Sequence, residues 1–343
     1  MEYYLMNKNR KVMRFIVDSE GYFLRSIITD GDSPFDLHTL RSWIRDRVSG
    51  KGRYKFEQFD STLVIQILNT THGVSITDSY WVRRTSEVIE WEDVSPYRYR
   101  GVTVCEDFNN NPVLALRGKQ DKIIRFRGGL EILKGMEYSA SNKGREYTFA
   151  EIYCDNIASM MGIESVHYTS EKVEHEMFAV SPCITTESKG LVSYETLVGV
   201  KTINYEELLD YVDERDRNKI LDMLLMDYLT CNTGRDVSNV HFYVSNDEHK
   251  VLGIAPMTFC KDSCLHGYDG SVSVRDYISS IRPADGNTWV DLFNLIDCDH
   301  VRERLDNLYN KYTCISVSNR RDSLMVEMLE TQLRQAKVKH LGV

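Results

Sequence analysis

The residues best suited to chemistry lie between Leu221 and Ser263. An apolar run, LDMLLMDYLTC, reads as a buried helix and leads into the polar segment Asn232-Thr233-Gly234-Arg235-Asp236-Val237-Ser238-Asn239. Two short β-prone runs follow, VHFYV and KVLGIAP, and then a second polar stretch, Met257-Thr258-Phe259-Cys260-Lys261-Asp262-Ser263. A buried helix that delivers one tight polar loop, and a hairpin that delivers another, suits phosphoryl transfer. One loop places the attacking hydroxyl and the other holds metal against the phosphates.

Upstream, Lys134 closes the apolar run Glu131-Ile132-Leu133-Lys134, and Glu151 stands in the first turns of the helix expected after it. A strand lysine held by a helix glutamate orients the α- and β-phosphates of a nucleotide. Taken singly, each residue also fits a plainer role, as a surface cation or as a carboxylate favoured near a helix N-terminus. The segment Arg117-Gly118-Lys119-Gln120-Asp121-Lys122 admits a further anion contact, with backbone N–H groups around Gly118 and the Lys122 ammonium turned toward a phosphate.

These residues need elements to position them. Residues 1–95 read as a separate α+β unit: YYLMNKNRKVMRFIVD and YFLRSIITD are β-prone, and Asp36 to Arg47 places Leu37, Leu40, Trp43 and Ile44 on one helical face. A Gly-bearing turn, the apolar run STLVIQILNTT and the segment SITDSYWVRR complete it, with no catalytic constellation. From residue 96 to about 190, PVLALRG, KIIRFRG and LEILKGMEY are short strands between glycine-bearing turns, and Arg145 to Gly162 is a helix with Gly162 as its stop. SVHYTSEKV and HEMFAVSPCIT return to strand. The rest, 191–343, is mostly helical: Asn204 with Glu207 opens a helix as a capping-box pair, Arg215 to Cys231 forms a buried one, and two more are expected near Thr288 to Tyr312 and from Asn319 to Lys339.

On these residues the chain resembles the bacterial HipA-like serine/threonine kinases. That family reads D-x-L-x-x-N-x-D-R-H-x-x-N and, after a hairpin, A-P-x-[FY]-D. This sequence keeps Asp227, Leu229, Asn232, Arg235 and Asn239 of the first pattern and Ala255-Pro256 of the second. Leu133-Lys134-Gly135, the Ala150-Glu151 helix and, more loosely, TDSYWV near residue 80 extend the likeness over most of the chain. The resemblance implies an α+β fold of kinase type with two lobes, β-rich with one helix and then helical, preceded by a small α+β domain. It also implies ATP and Mg²⁺ as ligands, with Lys134, Glu151, Gly118, Lys122 and Asn232 toward the nucleotide and Asn239 toward the metal.

The departures fall on the carboxylates. The family's catalytic Asp aligns with Gly234, its following His with Asp236, and its metal-binding Asp with Phe259. Spacing agrees: the base Asp of kinases precedes the metal-binding Asn by five residues, as Gly234 precedes Asn239, whereas Asp236 precedes it by three. Glycine cannot take a proton and phenylalanine cannot bind Mg²⁺. Asp236 is the candidate substitute base, and Asp262 the candidate substitute metal ligand.

Composition narrows the partners. The formal net charge of −9 and pI near 5.6 argue against a phosphate-neutralising nucleic-acid surface. No apolar run reaches the length of a membrane span, and the N-terminus lacks the apolar core of a signal peptide, so a cytoplasmic protein is expected. The 8 cysteines lack CxxC pairing and read as reduced, packed thiols, not as disulfides or a zinc site. The expected function is that of a pseudokinase that binds nucleotide, a protein partner or both. The alternatives are an active kinase with a rearranged site and a nucleotide-free interaction scaffold.

Overall fold

The computed structural model describes residues 1–17, 24–29, 37–48, 61–98, 122–135, 144–173, 175–258, 262–312, 317 and 320–340. In chain order the elements are β1 (Glu2–Asn7), β2 (Arg10–Val17), β3 (Leu24–Thr29), α1 (Leu37–Val48), α2 (Ser61–Thr71), β4 (Tyr80–Arg84), α3 (Trp91–Val94), β5 (Lys122–Phe126) and β6 (Leu130–Lys134). Then come α4 (Gly144–Met161), β7 (Thr169–Val173), β8 (Glu176–Pro182), β9 (Lys189–Ser193), α5 (Tyr194–Val198), α6 (Tyr205–Tyr211), α7 (Glu214–Leu229), β10 (His241–Ser245) and β11 (Val251–Ile254). Helices α8 (Val274–Ser280), α9 (Trp289–Ile296), α10 (Asp299–Tyr309) and α11 (Arg320–His340) complete the chain. Two compact units result: residues 1–135 with 183–191 and 243–252, and residues 136–182 with 192–242 and 253–343.

In the first unit an antiparallel sheet of order β3-β2-β1-β4 is covered on one face by two helices. Strand alternation turns Met13, Phe15 and Val17 inward. Leu40, Ile44 and Val48 of α1, four apart, and Val64 and Leu68 of α2 meet them in one buried cluster. The apolar run STLVIQILNTT is therefore helix, since only a 3.6-residue period brings Val64 and Leu68 onto the same face. A second cluster joins Met6, Val74, Trp81 and Trp91, Met6 and Trp81 being cross-strand partners. The strand–turn–strand β5–β6 pairs Lys122 with Lys134 and Arg125 with Glu131, the latter an ion pair at 2.6 Å.

In the second unit α7 is buried around its whole circumference from Ile220 to Leu229, the signature of a central helix. Helices α6, α9, α10 and α11 pack on it. Tyr228 and Gln332 exchange hydrogen bonds, Tyr228 Oη to the Gln332 carbonyl at 2.9 Å and Gln332 Nε2 to the Tyr228 carbonyl at 2.7 Å. Buried Asp222 receives Arg304 Nε at 3.2 Å, with His300 Nε2 2.7 Å away. Helix α4 lies on the β7–β8 hairpin and ends as expected: Gly162 takes φ +70° and Ile163 N–H closes on the Ala158 carbonyl at 2.9 Å. Arg304 and Lys311 also donate to carbonyls of its last turn, at Met161 and Met160.

Two helical expectations change in detail. Asn204 caps α6 by accepting from Glu206 N and Glu207 N, but Glu207 answers through the Asn204 side-chain amide at 3.2 Å, so the reciprocal backbone bond of a capping box is not made. The segment Thr288 to Tyr312 is two helices, not one. Trp289, Leu292, Phe293 and Ile296 share a face, as do Val301, Leu305 and Leu308. The step of five from Ile296 to Val301 cannot stay on one helical face, and the chain breaks at Asp297-Cys298.

The central position of α7 predicts a large truncation effect. Leu224→Ala should lower unfolding stability by about 2–5 kcal/mol, read from the denaturant midpoint at unchanged slope.

Candidate functional site

The loop after α7 is built around a buried ion pair. Asp227 projects from the last turns of the helix and accepts Arg235 Nε and Nη2, each at 2.8 Å. Both side chains are at most 3% exposed. Asn232 Nδ2 donates to the same carboxylate at 2.7 Å, and Asn232 Oδ1 accepts from Gly234 N at 2.9 Å. Tyr205 stands close enough to feel this charge: burial first, and then Asp227, push its phenol well above the usual tyrosine value.

Asn239 closes the far side of the loop. Its Nδ2 donates to the Gly234 carbonyl at 2.8 Å and its Oδ1 accepts from Asp236 N at 3.1 Å. An amide oxygen of this kind is a donor that Mg²⁺ takes. Asp236 is spent locally, its Oδ1 accepting from Ser238 N at 2.6 Å in a turn of Asx type. The loop then leaves along α5, with Val237 and Val240 carbonyls accepting from Glu195 N and Tyr194 N.

The second polar loop is laced to the first through the backbone. Thr233 N donates to the Asp262 carbonyl at 3.2 Å and Cys264 N to the Thr230 carbonyl at 2.7 Å. Cys231, Cys264 and Leu265 all take left-handed φ values between +51° and +61°, a strained conformation for residues other than glycine. Upstream, Asp216 in the first turn of α7 accepts Ile254 N at 2.8 Å and fixes the exit of β11. Three thiols fill the space behind: Cys154 Sγ and Cys264 Sγ are 3.6 Å apart, and burial pushes the Cys154 and Cys231 thiols upward.

At Gly234 there is no room for a side chain beside Asp262. A Cβ on Gly234 would stand 2.7 Å from Asp262 Cβ and 2.9 Å from its Cγ, with Oδ2 nearer still. The Asp262 carboxylate thus lies in the volume that a side chain at position 234 would occupy. Its neighbour is His266, whose Nε2 is 3.4 Å from Asp262 Oδ1. The sequence reading did not include His266 in the site; the Asp-x-x-x-His spacing was the available signal.

Of the other expected residues, Lys134 ends β6 and is the register partner of buried Lys122 at the start of β5. Residues directly opposite in an antiparallel pair share a face, with Cβ atoms about 4.5–5.5 Å apart. The two ammonium groups are therefore presented by neighbouring backbone positions. Glu151 is buried on α4. Gly118 and Phe259 lie outside the described residues. Among the described residues no group of three or more His, Cys, Asp or Glu is placed to hold a metal, and no helix is long and apolar enough to cross a membrane.

No family model matches the chain, and no curated protein matches it. Solved structures do match. HipA of the Shewanella oneidensis MR-1 toxin–antitoxin system, solved with HipB and its operator DNA, is 10% identical over 99% of this chain and 97% of that one, with a TM-score of 0.52. The fold is that of a HipA-like kinase. The expected α+β, two-lobed kinase-like fold is thereby found. The Helicobacter pylori proinflammatory kinase CtkA is 17% identical over 65% of this chain and 90% of that one, at a TM-score of 0.48.

Removing one member of the buried pair leaves the other charged and unpartnered, which costs about 3–5 kcal/mol in comparable sites. Arg235→Met should therefore lower the melting temperature markedly, and Asp227→Asn with Arg235→Met should recover part of the loss, as a double-mutant cycle by thermal or chemical unfolding would read.

Proposed function

We propose that the chain is a nucleotide-binding regulatory protein of HipA-like kinase fold, whose catalytic carboxylates have left their family positions. The observation that carries this reading is the contrast within one loop. Asp227, Arg235, Asn232 and Asn239 hold the backbone in a fully hydrogen-bonded frame, and the frame's base position, Gly234, carries no side chain. A loop with no remaining task would not need so costly a buried charge pair.

Nucleotide binding is supported by the residues kept from the family pattern, Lys134, Glu151, Asn232 and Asn239. The family pattern assigns Lys134, Lys122 and Glu151 to the nucleotide. Mg²⁺ would be taken by Asn239 Oδ1 together with phosphate and water oxygens, supplying charge neutralisation at the phosphates. The partner is proposed to be a protein. A net charge of −9 disfavours direct contact with nucleic acid, so the operator DNA of the HipA complex is not carried over to this chain. The cytoplasm, where ATP and Mg²⁺ are abundant, is the proposed compartment.

Thermal shift tests the reading. A ligand that binds only the folded chain stabilises it by about 2.7 kcal/mol at one hundred times its dissociation constant. ATP or ADP with Mg²⁺ should raise the melting temperature, and Lys134→Ala should abolish the shift. No shift with any nucleotide, with or without metal, would leave the interaction scaffold as the better description.

A further inference from the structure

We infer that Asp262 has taken over the carboxylate that the base position of the loop has lost, so that the nucleotide-binding fold proposed above remains competent in phosphoryl transfer to a hydroxyl. The inference rests on that reading and adds a residue and a reaction to it.

The argument starts from space. Asp262 Cβ and Cγ stand 2.7 and 2.9 Å from where a Cβ of residue 234 would be, closer than non-bonded carbon atoms tolerate. Any side chain at 234 and the present Asp262 conformation exclude each other. The glycine and the aspartate are therefore one feature: the absence at 234 is what admits the carboxylate from 262. Loss of a catalytic residue by drift would leave a void or water there, whereas this chain fills the volume with the same functional group delivered from the adjoining loop.

Position and availability follow. The two loops are fixed to each other by the Thr233 N to Asp262 O and Cys264 N to Thr230 O hydrogen bonds, so the Asp262 backbone is held against the segment that precedes Gly234. Its side chain is 29% exposed, open enough to meet a hydroxyl. Asp236, the other candidate, has its Oδ1 committed to Ser238 N. His266, 3.4 Å from Asp262 Oδ1, acts as a positioning residue that fixes the carboxylate's rotamer. In the step assigned, the oxygen of a serine or threonine hydroxyl bonds to the γ-phosphorus as the bond from that phosphorus to the β–γ bridging oxygen breaks. The electron pair leaves with ADP, and the hydroxyl proton passes to Asp262. Asp262 is thus assigned as base and not as metal ligand, the role that sequence spacing suggested for it.

The test uses the full chain with ATP and Mg²⁺ or Mn²⁺, following ADP release and autophosphorylation alongside thermal shift. Wild type is expected to turn over slowly. Asp262→Asn, nearly isosteric, should keep the nucleotide-dependent thermal shift and lose about 10²-fold or more in turnover, the scale of a general base. Stability gives a readout independent of activity. Gly234→Asp alone should lower the melting temperature through collision with Asp262, and adding Asp262→Gly should restore most of it. A thermal shift with turnover that is absent, or indifferent to Asp262→Asn, overturns the assignment of Asp262 and leaves nucleotide binding standing. Additive effects in the 234/262 cycle would overturn the shared-volume argument. Absence of any nucleotide shift removes the binding reading, and the transfer step with it.

Discussion

The Asp227–Arg235 pair is the constraint on which the rest of the second unit depends. A bidentate guanidinium–carboxylate contact with both groups buried is costly to desolvate, and it is favourable only when every remaining lone pair and N–H is matched. Asn232 completes the match on the carboxylate and then passes the order on to Gly234 N. Because Asp227 sits on α7, buried on all sides, the helix sets the height of the loop. Because Arg235 sits in the loop, the loop cannot move without stranding a charge. The backbone around Gly234 is thereby as fixed as a core element, though it is formed by turns.

This separates two kinds of residue that a motif mixes. Asp227, Asn232, Arg235 and the Nδ2 end of Asn239 shape the backbone. The second kind is represented by the positions at Gly234 and Phe259, where the family pattern has carboxylates. The backbone-shaping residues are kept, and the fold of the HipA structure is present at 10% identity.

Much of the fold was legible for the same reason. Periodicity located α1, α4 and α7 to within a residue or two, because their apolar positions recur every three or four and their ends carry recognisable signals, Gly162 above all. The β5–β6 and β10–β11 strands were legible as short apolar runs between turns. The α9–α10 break was not, since a helical propensity that continues through Asp297-Cys298 hides a change of face that only the packed core reveals. The short helices α5 and α8 were missed because five and seven residues carry too little periodicity to register.

The site was legible along the chain and illegible through space. Counting residues aligned Gly234 with the base position of the family pattern and reached the loop that carries Asp262, but no spacing rule could place a carboxylate from one loop over the Cα of another. A sequence pattern orders residues along the chain, whereas the fold sets which side chains share a volume. At Gly234 the two diverge, since the space beside its Cα is taken by Asp262 from the second loop. The strained left-handed residues that bracket both loops, Cys231 on one side and Cys264 and Leu265 on the other, are where the backbone bends sharply enough to bring the two loops together.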